Sequence, residues 1–112
     1  MQRLHYADGS FLTGDELAAA VVRYARELAR AGTADTVEVP ILLDEGGFGR
    51  SRLLVGPASQ LVLTPGDPDL PPLVDPALVA DIEARRIALT RTPVAESRDA
   101  PASERVSLDF ED

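Results

Sequence analysis

The chain of 112 residues contains no cysteine, no lysine and no tryptophan, and a single histidine. Without cysteine there can be no disulfide, no thiolate zinc site, no iron–sulfur ligation and no cysteine nucleophile. Without lysine there is no Schiff base and no Walker-type phosphate lysine, and all eleven cations are arginines. His5 is the one side chain whose ordinary pKa lies near neutrality, so a Ser-His-Asp arrangement, or a histidine metal site within one chain, would have to use it. It sits between Leu4 and Tyr6 in an alternating run, which points it outward. No stretch approaches the roughly eighteen apolar residues of a membrane span, and no positively charged start leads into an apolar run. No membrane association and a cytoplasmic location are therefore expected. A net charge of −8 disfavours non-specific binding to nucleic acid, which needs cationic surface. Arg23, Arg26 and Arg30 share one helical face, but Glu27 dilutes them.

What the chain does have is aliphatic material. Hydrophobic residues make up 45% and aromatics only 4%, so the core must be built from Val, Leu, Ile and Ala. Residues 13–32 form the strongest element. Leu17, Val21, Tyr24 and Leu28 recur at helical spacing, and a second stripe of smaller residues, Ala18, Val22, Ala25 and Ala29, runs beside it. Together the stripes cover about half the circumference, wider than the roughly 100° arc that one packing partner requires. The helix is expected to have two neighbours: a sheet on the large stripe, and on the small one another helix, from this chain or a second copy. Thr13 and Glu16 have capping-box spacing, and Gly32 supplies the left-handed stop.

Around this helix the sequence predicts strands. A hairpin is expected over residues 3–12, turning at Asp8-Gly9 with Tyr6 opposite Phe11. Residues 36–43 alternate with Val37, Val39, Ile41 and Leu43 on one face, and Pro40, which cannot donate to a ladder, marks this strand as an edge or as facing away from its partner. Residues 50–56 alternate as well, and the best register places Glu38 beside Arg50 and Arg52 on the outer face. Residues 60–64 read as a short strand. Five prolines in residues 65–76 exclude an element interior there, and Asp75 and Pro76 then open a second helix with Leu78, Val79, Ile82 and Leu89 on one face. Ile87 lies off that stripe, and Glu83 with Arg86 and Asp81 with Arg85 are spaced to pair.

The expected fold is α+β in two layers: a small, mainly antiparallel sheet of three to five strands on two helices, in the order β(β)αβββα, occupying residues 1–90. Residues 91–112 read as an acidic tail, extended or held by a partner, in which Val106, Leu108 and Phe110 alternate as in a strand and are suited to adding to an exposed sheet edge.

No spacing of side chains amounts to a catalytic motif, and none calls for a cofactor or metal. Gly46-Gly47-Phe48-Gly49 reads as a hairpin loop, and Asp67, Asp69 and Asp75 read as Pro-Asp turns without a calcium-loop spacing. The leading expectation is a non-enzymatic interaction module or accessory subunit acting as a homodimer. Its interaction residues would be Ala18, Val22, Ala25 and Ala29 on the helix, and Val106, Leu108 and Phe110 in the tail. The alternative is a small-ligand protein, binding an anion or metabolite in a pocket between helix and sheet lined by His5, Arg50, Arg52, Ser59 and Gln60. In that segment Gly56-Pro57-Ala58-Ser59-Gln60 interrupts an apolar run and is expected to form a turn or bulge.

Overall fold

A computed structural model describes residues 1–7 and 9–91. It shows an α+β fold with one antiparallel sheet and two helices: β1 (Gln2–Tyr6), β2 (Gly9–Thr13), α1 (Asp15–Ala31), β3 (Asp35–Leu42), β4 (Phe48–Val55), β5 (Leu61–Pro65) and α2 (Pro76–Arg91). The sheet order is β4-β3-β2-β1-β5, and every neighbouring pair is antiparallel. The expected α+β class and element order are borne out, with five strands.

α1 organises the core because its large stripe is covered by the sheet and much of its small stripe is covered within the chain as well. Leu17 is fully buried, and Val21, Tyr24 and Leu28 are buried in one cluster with Leu4 of β1, Val37 and Val39 of β3, and Leu53 and Val55 of β4. On the adjoining stripe Ala18 and Ala25 are also buried, Val22 is half-buried and Ala29 is exposed. The second neighbour is α2, whose Ile82 is fully buried in the same cluster while Glu83 reaches Arg23 of α1 at 3.3 Å. Each fully buried aliphatic side chain in this cluster contributes about 1.5–3 kcal/mol relative to exposure.

The ends of α1 differ from each other. Gly32 is left-handed at φ 69°, and the N–H of Thr33 bonds back to the Leu28 carbonyl at 3.1 Å, closing the helix as the sequence predicts. At the start, the expected capping box is not formed. Thr13 is the last residue of β2, its buried hydroxyl donates to the Pro40 carbonyl at 2.8 Å, and Gly14 takes the cap position without a side-chain bond. A strand hydrogen bond has claimed the side chain that local pattern assigned to the helix. Glycine is needed at position 14 for space: a Cβ there would lie 1.8 Å from the Leu73 carbonyl oxygen, so the proline-rich crossing presses directly on the helix start.

The β1–β2 hairpin also departs from the expected register by two residues: Tyr6 faces Gly9, and Phe11 faces Leu4, with Ala7 at φ 54° after β1. Both registers keep Leu4, Tyr6 and Phe11 on the inner face, so side-chain alternation alone does not distinguish them.

The sheet is strongly curled. β4 and β5 are its two edges, yet only residues 56–60 connect them. In a flat sheet four strand spacings of about 4.8 Å would separate these edges by about 19 Å, nearly the whole reach of the six Cα steps from Val55 to Leu61, about 20–22 Å, with little left for the tight turn that these residues form. Contact across the curl is direct: the Tyr6 hydroxyl of β1 donates to the Leu54 carbonyl of β4. β2 and β3 correspondingly share a single registered pair, Leu12 with Leu42, whereas β3 and β4 pair along all eight residues. The 56–60 segment is a turn. Ser59 N–H bonds to the Gly56 carbonyl at 3.1 Å, and Ser59 Oγ accepts from Gly56 N–H at 3.0 Å.

α2 begins as predicted. Asp75 Oδ1 accepts from Leu78 N–H at 3.1 Å, and Arg85–Asp81 and Arg86–Glu83 pair at 2.9 and 2.7 Å. Leu78, Val79 and Leu89 pack on the core edge. Ile87, off the stripe, is 41% exposed. Among the described residues no helix is long and apolar enough to cross a membrane.

Candidate interaction surface

Both helices lie on one face of the sheet, and strand alternation sends the other set of side chains to the opposite face, an open face that no element among the described residues covers. The registers place Arg3 and His5 of β1, Ser10 and Leu12 of β2, Pro40 and Leu42 of β3, Phe48, Arg50, Arg52 and Leu54 of β4, and Val62 and Thr64 of β5 on that side. Leu12, Leu42 and Phe48 form a continuous cross-strand row. Phe48 and Leu54 are each 59% exposed and Val62 is 55% exposed. Scattered exposed apolar residues are ordinary, but three large ones on a single uncovered sheet face, one of them ending a row of three, make a surface that gains by being covered.

The polar groups of this face are lightly engaged. His5 Nε2 lies 3.0 Å from Thr64 Oγ1, and Arg3 donates to Ser10 at 3.0 Å. Glu38 stands between Arg50 and Arg52 at 3.8 and 3.9 Å, the arrangement that alternation predicts. At these distances and exposures such pairs contribute a few tenths of a kcal/mol at most. Three arginines against one carboxylate make the strands of this face cationic on a chain that is acidic as a whole.

The residues expected to line a ligand pocket are not brought together. Ser59 and Gln60 line a cleft of about 390 Å³ beside Tyr6, Leu54 and Pro57, whereas His5, Arg50 and Arg52 stand on the open face and take no part in it. The cleft's hydroxyls are already used: Ser59 Oγ bonds to Gly56 N–H and the Leu54 carbonyl, and Tyr6 bonds to that same carbonyl. Gly46 and Gly47 lie in the β3–β4 turn, where Leu43 N–H bonds to the Gly47 carbonyl at 2.9 Å. Asp67 accepts from Asp69 N–H in a local turn, and Asp75 caps α2. Of the expected interaction residues, Val106, Leu108 and Phe110 lie outside the described residues.

One polar cluster was invisible to sequence spacing. The Tyr24 hydroxyl donates to Asp35 Oδ2 at 2.5 Å, and Arg85 Nη1 reaches the same oxygen at 3.2 Å, tying α1, the start of β3 and α2 together. The bond from Tyr24, with those from Thr36 N–H and Arg85, holds the Asp35 carboxyl below its ordinary range, while burial and the adjacent carboxylate push Tyr24 up to about 12. The one available signal is a tyrosine in an otherwise aliphatic stripe, because a buried tyrosine needs a partner for its hydroxyl. Both acid and arginine face structural partners, so the cluster acts as a clamp between elements.

The chain matches no protein-family model, and no curated protein or solved structure matches it. The functional reading therefore rests on the geometry of the open face.

Proposed function

We propose that this protein is a non-enzymatic interaction module that works as a homodimer, and that the open sheet face is the surface that pairs. The observation that carries this reading is the exposure of Phe48, Leu54 and Val62 on a sheet whose other face packs against α1 and α2. Most of the small-residue stripe of α1, with Ala18 and Ala25 buried inside the chain, is already used, which moves the pairing surface from helix to sheet. A homodimer built on this face is isologous: the same apolar row meets itself across a two-fold axis, and Glu38 of each copy can approach arginines of the other. Light scattering on the full chain and on Phe48→Asp/Leu54→Asp tests it. The expected result is a dimer mass for the natural chain and a monomer mass for the variant; a monomer in both overturns the reading.

The small-ligand reading draws less support, since its polar residues are divided between the open face and the cleft. A thermal-shift screen with phosphate, nucleotides and organic acids checks it, because a ligand that binds only the folded form raises the melting temperature.

A further inference from the structure

Among the described residues β4 pairs with β3 alone, so its second side faces no other strand. Which of its groups are unpaired follows from the turn. Leu43 and Gly47 bond to each other, so by alternation Ile41 and Gly49, Val39 and Ser51, and Val37 and Leu53 also face each other. The backbone groups of Phe48, Arg50, Arg52 and Leu54 then point away from β3. Two independent contacts agree with this phase: Pro40, opposite Arg50, turns its carbonyl away from β4 to Thr13, and the Leu54 carbonyl is taken from outside by Tyr6 and Ser59. The edge is thus closed at Leu54 and open from Phe48 to Leu53.

An open edge of this length is a template for another strand, and its side chains select the kind. Arg50 and Arg52 stand on its outer face, 55% and 72% exposed, and share Glu38 among the described residues. Leu53, on its inner face, belongs to the core. The complement is a strand with acids at alternate positions and apolar residues between them. The sequence after α2 contains one, Leu108-Asp109-Phe110-Glu111-Asp112.

We infer that residues 108–112 of the same chain add to the free edge of β4 as a sixth, antiparallel strand, with Asp109 opposite Arg52 and Glu111 opposite Arg50. In this register Leu108 falls beside Leu53 and Phe110 beside Ser51, so charge matching and apolar matching are satisfied by one alignment. A shift of one residue would place Leu108 and Phe110 against the arginines. The chain can reach. Arg85 of α2 bonds Asp35, whose partner across the hairpin is Val55, so α2 ends near the end of β4 from which this strand would start. Residues 92–107 span up to about 50 Å when extended, ample to round a sheet edge. The inference concerns the edge of β4 and stands apart from pairing through the open face: a chain that is monomeric in solution refutes the dimer and leaves this strand intact.

Amide hydrogen exchange on the full chain tests it. Exchange at Phe48, Arg50 and Arg52 is expected to be slower, by about tenfold or more, in the natural chain than in Leu108→Asp/Phe110→Asp, with Leu28 and Val37 unchanged as evidence of an intact core. The double reversal Arg50→Glu/Arg52→Glu is expected to lose the protection, and adding Asp109→Arg/Glu111→Arg to restore it. Equal exchange in the natural chain and the tail variant overturns the inference, as does a failure of the added reversal to restore protection. Protection that falls on dilution overturns the same-chain assignment and gives the edge to the tail of a second copy.

Discussion

α1 and α2 pack against each other, yet different forces hold them. α1 buries seven residues, among them Leu17, Val21, Tyr24 and Leu28, and sits between the sheet and its partner helix. α2 fully buries only Ile82 among its described side chains, with Leu78, Val79 and Leu89 partly buried at the core edge, and is tied further by charges, Arg85 to Asp35 and Glu83 to Arg23. A helix held by a large buried apolar area is bound to the global stability of the domain, whereas one with a single fully buried side chain, a partly buried apolar edge and a few part-exposed ion pairs can open by itself. The prolines before α2 fit the second case, since a stiff crossing pre-positions a weakly held helix at low entropic cost.

The sharpest way to break this contrast is to truncate one anchor on each side. Leu28→Ala is expected to cost about 2–5 kcal/mol and to lower the unfolding midpoint of the whole molecule in denaturant. Ile82→Ala, of similar chemistry, is expected to cost about 2–4 kcal/mol, with increased exchange concentrated in α2 amides while α1 amides stay protected. If both variants loosen α1 and α2 equally, the helices form one cooperative unit and the contrast fails. Gly14→Ala is next: its Cβ meets the Leu73 carbonyl, so a loss of about 1–3 kcal/mol is expected, with the crossing before α2 displaced from α1. Calorimetry reads the loss, and NMR shifts at residues 70–76 read the displacement.

A smaller effect is expected from the clamp between the helices. Tyr24→Phe removes the bond to Asp35 and is expected to cost about 1–2 kcal/mol. The same clamp sets two pH limits. Asp35 is held below its ordinary 3.8, so its stabilisation is complete above that value and is lost as pH falls through the folded pKa. Tyr24 is raised from 10.0 to about 12, so its stabilisation is complete below 10 and is lost as pH rises through 12. Melting temperature measured against pH should decline at both ends, and Tyr24→Phe should flatten both declines. The smallest effect belongs to the open face. Glu38→Gln is expected to change stability by less than about 0.5 kcal/mol, because both of its arginines are exposed.

Much of this architecture can be read from the chain. The four-three-four spacing of Leu17, Val21, Tyr24 and Leu28 specifies a helix face, and alternation through residues 36–43 and 50–56 specifies which strand side chains turn inward, including the placement of Glu38 between two arginines. What could not be read depends on distant partners. Thr13 has the local chemistry of a cap, but a carbonyl 27 positions away takes its hydroxyl. Asp35, Tyr24 and Arg85 meet only because α2 returns beside α1. The open face was legible in pieces, since alternation sets Leu42 with Glu38 and Leu54 with the arginines, but Phe48 reads as a loop residue until the hairpin register shows it ending the Leu12-Leu42 row. The residues expected around a pocket divide for the same reason: spacing along the chain says nothing of which sheet face or end a residue shares with another, and Ser59 lines the cleft while His5 stands on the open face.

The most direct test of the central claim is a set of intermolecular NOEs from a mixture of isotope-labelled and unlabelled full chain. Pairing through the open face predicts NOEs between copies at Leu12, Leu42, Phe48, Leu54 and Val62. Intermolecular NOEs confined to Val22 and Ala29 of α1, or none at all at concentrations where the chain is soluble, would contradict it.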